Sequence, residues 1–119
     1  MSQATHTAEP RRGEIWLVDF GTPIGHEQGY RRPAVVVSAD RLNSSRAGLV
    51  IVVPVTRTRR NLPSHVEIEP AESGLRDVSY AKCEDIKSVS RERLVHRIGD
   101  APEQELHRII AVIVMLIDK

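Results

Sequence analysis

Apolar residues occur along this chain in short bursts separated by turn-forming residues, and the bursts predict strands. Residues 14–20 (Glu-Ile-Trp-Leu-Val-Asp-Phe) are rich in β-branched and aromatic side chains. Residues 33–38 form a nearly all-apolar second strand, and residues 49–55 a third. Pro54 belongs at the end of that third strand or at a bulge, because it has no N–H to donate to a ladder. Residues 65–69 alternate polar and apolar, as a strand with one solvated face should. Two further runs, 77–83 and 86–89, offer short strands, and turn-rich connections fill 21–25, 39–48, 56–63 and 70–74. Five or six short strands with turns between them predict a small antiparallel barrel or sandwich.

The end of the chain has a different pattern. Asp100-Ala101-Pro102-Glu103 combines a capping side chain, an early proline and a glutamate three residues after the cap, so a helix is predicted over 101–117. That helix is polar at its start and apolar on every side later, a surface that must be covered by the sheet or by a second copy of the chain. The predicted fold is mainly β, a small antiparallel barrel with a C-terminal α-helix. Residues 1–10 are polar and end at Pro10, which predicts a disordered leader before one domain over 11–119.

Composition narrows the class. The 119 residues suit a single domain, and 40% hydrophobic with 28% charged is ordinary for a soluble globular chain. Aromatics at 3% argue against recognition of single strands mainly by base stacking. The net charge of +1 conceals a split: nine basic against five acidic residues up to position 60, and eight against eleven after it. The basic half suits a phosphate-bearing partner. Cys83 is the single cysteine, so no intrachain disulfide forms and a reducing compartment, the cytoplasm, is expected. The longest apolar run, 109–117, has nine residues against the roughly 20 a membrane span needs.

Candidate chemistry is concentrated before and after the two central apolar runs. The five histidines are scattered, with no HExxH or CxxC spacing and no glycine-rich nucleotide loop, so neither metal nor cofactor is expected. His65, His96 and His107 read as surface or cap residues. Pro33 forces Arg32 out of the helical region and holds it extended at the lip of a strand. There it is either a phosphate ligand, for which a planar fork of donors is well shaped, or one half of a surface ion pair. Thr56, at the end of a buried strand, can offer its hydroxyl to a phosphate or cap a turn. Arg57, Arg59 and Arg60 place three cations in four positions beside it, and Arg31 adds another beside Arg32. His26 and Glu27 supply proton-transfer groups or are simply solvated. Lys82 and Glu84 are expected to share a strand face as an ion pair, with Cys83 turned inward.

Taken in order, these strings resemble the MazF/PemK (Kid) family of toxins: residues 12–19, Gly25-His26-Glu27-Gln28, Arg32-Pro33 with 34–38, Val53-Pro54-Val55-Thr56, residues 83–89 and Arg97-Ile98-Gly99. The resemblance spans about residues 11–118. It implies an SH3-like barrel that forms a homodimer, cleaves single-stranded RNA at short sequence motifs without a metal, and is neutralised by a cognate antitoxin. It implies that Arg32 is the principal catalytic arginine and Thr56 the threonine on the scissile phosphate. His26 and Glu27 fall where relatives place RNA-contacting or proton-transfer groups. Lys82 and Glu84 stand where some relatives have arginine and aspartate, and that lysine lacks the bidentate fork. The expected products are a 2′,3′-cyclic phosphate and a 5′-hydroxyl, made by the RNA's own 2′-hydroxyl. The base is left open among Glu27, His26 and Glu84. The rival expectation is a barrel toxin that binds and poisons a protein such as DNA gyrase without cutting RNA.

Overall fold

The computed structural model describes residues 9–21 and 31–118. The expected leader lies outside them except for Glu9 and Pro10, and so do His26 and Glu27. Strands β1 (Glu14–Asp19), β2 (Arg31–Val36) and β3 (Leu49–Thr56) follow the predicted runs closely. A one-turn helix α1 (Asp40–Asn43) stands in the polar connection between β2 and β3. Then come β4 (His65–Ile68), a one-turn helix α2 (Pro70–Ser73), β5 (Ser79–Lys82), β6 (Lys87–Ser90), β7 (Leu94–Asp100) and the long helix α3 (Glu103–Ile117).

The seven strands form one antiparallel sheet in the order β4-β5-β3-β2-β1-β7, with β6 also pairing to β3. One buried cluster takes Ile15 from β1, Val35 from β2, Val55 from β3, Ile68 from β4 and Ile109 from α3. Residues from distant places in the strand order therefore meet in a single interior, so the sheet curls around a core and α3 closes it. Val18, Ala34, Val36, Val50 and Val52 fill a second cluster on the other face. Because β2 and β3 are covered on both faces, their sequences read as unbroken apolar runs rather than as alternation.

Long strand β3 exchanges partners along its length: β6 lies against Leu49–Val52 and β5 against Val55–Thr56. Pro54 falls in the gap. Val37 donates its N–H to the carbonyl of Ile51 across the β2–β3 pair at 2.9 Å. The antiparallel alternation then makes Ala34–Pro54 a non-hydrogen-bonded pair and turns Pro54 away from β2, towards the gap. By the same alternation Pro33 faces β3, where it has no N–H to give. The β2–β3 ladder stops at Ala34–Pro54, while β1 still pairs β2 out to Arg31 and β5 still pairs β3 out to Thr56. Two strands, each held from its outer side, part from one another at a pair of prolines.

The structure corrects three expectations. First, β7 was not foreseen: of its seven residues only Leu94 and Gly99 are buried, and two register shifts against β1 break any alternation a sequence could display. Second, β5 stops at Lys82 and residues 83–85 form a 3-10 turn, so period-two facing no longer holds; Lys82 pairs with Asp85 at 2.9 Å rather than with Glu84. Cys83 does turn inward and is fully buried, its thiol pushed up to about 11 by burial and then by Glu84. Third, Asp100 caps no helix. It ends β7 and bonds Arg97, and α3 begins after Pro102 with no side-chain cap. Leu106, Ile109 and Ile113 form the covered stripe of α3, whereas Met115 and Ile117 are 75% and 76% exposed.

One close contact sets the far side of the sheet's open mouth. Gly74 ends α2 in the left-handed region (φ 78°) and lies against the backbone of Ile98. Gly99 lies equally close to the carbonyl of Ser73, so neither position has room for a Cβ. The Ser73 hydroxyl, fully buried, donates to the Glu69 carbonyl at 2.8 Å and accepts from Leu75 N–H at 3.2 Å, pinning the turn. Gly99→Ala should therefore cost about 3 kcal/mol, the upper end for overpacking. Urea denaturation reads this directly, and an unchanged midpoint would show that α2 does not dock on β7 this closely.

Candidate active site

Where β2 and β3 part, a cleft of about 440 Å³ opens. It is lined by Arg31, Arg32 and Pro33, by Val55, Thr56 and Arg57, by Leu75, Arg76 and Asp77 of the turn docked by Gly74, and by Ile98 of β7. Two segments far apart in sequence thus meet in one concavity, because the prolines end the ladder between them.

Arg32 is half-buried, and among the described residues its Nε is out of contact with solvent and has no hydrogen-bond partner. Burial, and then the charge of Arg57, lowers its pKa below the usual arginine value. A guanidinium stays protonated regardless. The consequence is a cation held next to another cation with its Nε donor unsatisfied among the described residues, an arrangement that an anion would relieve. The alternative role as a surface ion-pair partner finds no counter-charge among the described residues.

Thr56 is buried, and its Oγ1 accepts the N–H of Thr58 at 3.1 Å, so it does close a turn. That bond uses a lone pair, and among the described residues the hydroxyl proton is left uncommitted at the edge of the cleft. Arg57 extends to Asp77 at 3.3 Å, both side chains well exposed, a weak tie that an entering anion can outcompete.

Of the sequence candidates, Arg31, Arg32, Thr56 and Arg57 are brought together. Arg59 turns the other way: its Nε donates to Asn61 at 3.0 Å and it lines a separate pocket of about 210 Å³. Arg60 is exposed and lines neither. Lys82 and Glu84 do not line the cleft. Glu84 accepts from the Ser64 hydroxyl at 2.7 Å and bonds His65 Nε2 at 3.0 Å. His65 is not the surface residue its sequence position suggests, for its side chain is only 3% exposed. Leu75, Arg76 and Asp77 were not foreseen; a short run of residues in a turn carries no periodicity, and Gly74 was the one signal that the turn is fixed.

Comparison with known proteins gives a consistent picture. Residues 11–117 match the family model described as PemK-like, MazF-like toxin of type II toxin–antitoxin system. The chain is similar to endoribonuclease MazF9 of Mycobacterium tuberculosis, 41% identical over 101 residues that cover 81% of this chain and 86% of the relative. It is 33% identical to the probable endoribonuclease MazF5 of the same organism, over 94% of this chain and 96% of that one. Crystal structures of MazF and of MazE–MazF from Deinococcus radiodurans superpose with TM-scores of 0.79 and 0.76. Each is 29% identical; they span 95% and 94% of this chain, and 100% and 98% of their own.

The Glu84 carboxyl offers a pH test of the local structure. Burial alone would raise it, but Ser64, a backbone N–H and His65 together hold it below its ordinary value. A lowered folded pKa means that Glu84 adds stability above its unfolded pKa, about 4.3, and that this contribution is lost as the pH falls through the folded value. Ser64→Ala should raise the Glu84 pKa towards its unfolded value and so reduce the stability lost on acidification, as read by carboxyl NMR titration and acid denaturation. An unmoved titration would mean that the Ser64 bond is not formed.

Proposed function

Because this chain belongs to the PemK-like, MazF-like toxin family of type II toxin–antitoxin systems, we propose that it cleaves single-stranded RNA in the cleft where β2 and β3 part. The observation that carries the reading is the sharing of one cavity by Arg32, whose Nε has no partner among the described residues, and the Thr56 hydroxyl, whose proton is uncommitted among them. The endoribonuclease names of the relatives support RNA cleavage over the poisoning of a protein target such as gyrase.

RNA carries its own nucleophile in the 2′-hydroxyl. Attack of that oxygen on the adjacent phosphorus forms the 2′,3′-cyclic phosphate as the bond to the 5′-oxygen breaks. One proton leaves the 2′-hydroxyl and one arrives on the departing 5′-oxygen. Arg32 stabilises the charge that builds on the phosphate oxygens, the electrostatic contribution that usually dominates such steps. Thr56 donates to a nonbridging oxygen and fixes the phosphate in line. The base is Glu27 or His26, both within six residues of Arg32 and outside the described residues. Glu84 is already committed to Ser64 and His65 and does not line the cleft. Arg31 and Arg57 hold flanking phosphates, Arg57 exchanging Asp77 for the RNA. Arg59, Arg60 and Lys82 extend the basic surface beyond the cleft, with Glu84 bracing His65 beside it.

The domain responsible spans 11–119. The exposed apolar end of α3, with Val114, Met115, Leu116 and Ile117 uncovered, is buried by a second copy of the chain, giving a homodimer. A cognate antitoxin completes the system, as the MazE–MazF complexes of D. radiodurans indicate for their own chain. The site of action is the cytoplasm, consistent with one buried, unreactive thiol. No helix of the described residues is long and apolar enough to cross a membrane.

Incubating the protein with a long RNA in EDTA should yield fragments ending in cyclic phosphate, and RNA left intact would overturn the reading. Arg32→Ala should lower kcat by about 10²–10³-fold with no fall in melting temperature, while Thr56→Ser should keep most of the activity that Thr56→Ala loses. Light scattering at micromolar concentration should give twice the chain mass, and Ile117→Asp should shift it towards the monomer.

A further inference from the structure

Tyr80 has no part in the chemistry above, yet the register places it beside that chemistry. Across β3, β5 and β4 the directly opposed residues are Thr56, Tyr80 and Glu67. Opposed residues in an antiparallel sheet share a face, their Cβ atoms about 5 Å apart. Tyr80 therefore stands one inter-strand spacing, about 4.8 Å, from Thr56 on the same face. The pocket of about 210 Å³ opens there, between Tyr80, His65, Glu67 and Arg59.

The chemistry of this pocket suits a nucleobase better than a phosphate. Glu67 would repel a phosphate, whereas a base offers a π-face for Tyr80 and an edge of mixed donors and acceptors for Glu67 and Arg59. The walls are held in place beforehand. Ser64 anchors Glu84, and Glu84 anchors His65 through Nε2. With Nε2 carrying the proton towards the carboxylate, Nδ1 is left as an acceptor, and no group of the described residues satisfies it, although it is buried. Arg59 is steadied by Asn61. A rigid aromatic with mixed-charge walls, next to the phosphate-binding threonine, is how a single-strand cleaver could read one neighbouring nucleotide.

We propose that Tyr80 is the stacking platform of a nucleobase subsite immediately beside the scissile phosphate, walled by His65, Glu67 and Arg59, and that this subsite sets part of the cleavage specificity. The inference rests on the RNA-cleaving reading and deepens it. It accounts for Arg59 and Glu84, which lie away from the cleft, as a wall of this pocket and as the group positioning His65.

The test separates the two readings by first establishing that the wild-type protein cuts a defined RNA. Binding is then measured by fluorescence anisotropy on the same sequence with a single 2′-deoxy sugar at the cut, which blocks the nucleophile and leaves every base in place. Tyr80→Ala should weaken binding roughly 5- to 150-fold, while Tyr80→Phe and Tyr80→Trp should stay close to wild type. Tyr80→Leu keeps apolar bulk if alanine unsettles the fold, and it too should lose affinity. One abasic substitution flanking the cut should weaken wild-type binding by a similar factor and have little further effect on Tyr80→Ala. Equal affinity of wild type, Tyr80→Ala and Tyr80→Leu, or an abasic penalty that persists undiminished in those variants, would overturn the subsite while cleavage by the wild type leaves the nuclease reading standing.

Discussion

The site depends on two absent hydrogen-bond donors. Pro33 faces β3 without an N–H, and Pro54 sits where β3 passes from β6 to β5. Each proline falls where a missing donor opens a space rather than a defect within a continuous ladder. The strands are not loose as a result, because β1 holds β2 out to Arg31 and β5 holds β3 out to Thr56. The cleft is thus built from strand ends fixed on their outer edges, and side chains on such ends keep their geometry better than side chains on a free loop.

The same arrangement explains why the protein tolerates an unfavourable cluster of charge. Arg31, Arg32, Arg57 and Arg76 border one cavity, and only Arg57 has a carboxylate partner among the described residues. A half-buried cation whose Nε lacks a partner among the described residues detracts from stability. The apolar strands beneath it, buried on both faces, offset that cost: Val35 and Val53 point into one cluster, Ala34 and Val52 into the other. Stability is concentrated under the site, and the uncompensated charge is kept at its surface. The glycine contact between α2 and β7 extends the same logic to the turn that carries Leu75, Arg76 and Asp77, fixing it with close backbone contacts and the buried Ser73 hydroxyl.

Much of this was legible along the chain. Strands β1 to β4 could be read from apolar runs and their bounding turns, and Arg32 and Thr56 were marked out by the prolines near them. What escaped had no periodic signal. Strand β7 lies at the end of the strand order with bulges against β1, so His96 and Arg97 occupy it as readily as apolar residues would. The segment 82–84 reads as strand, yet the chain leaves the ladder after Lys82 in a 3-10 turn while Cys83 stays buried under α3, its Sγ 3.9 Å from the Ile109 carbonyl. His65 looked like a surface histidine, since nothing local shows that Glu84, nineteen residues on, will cover it.

The sequence by itself determined the mainly β class, the closing helix, the family and the residue types available for phosphate chemistry, because these follow from local pattern and from prolines whose effect is local. Only the tertiary structure decided which arginines converge. Arg57 and Arg59 are two residues apart, yet one faces the cleft and the other a separate pocket. That division comes from strand register and from contacts between segments distant in sequence, whose energies are set by three-dimensional packing and leave no trace in the spacing of residues along the chain.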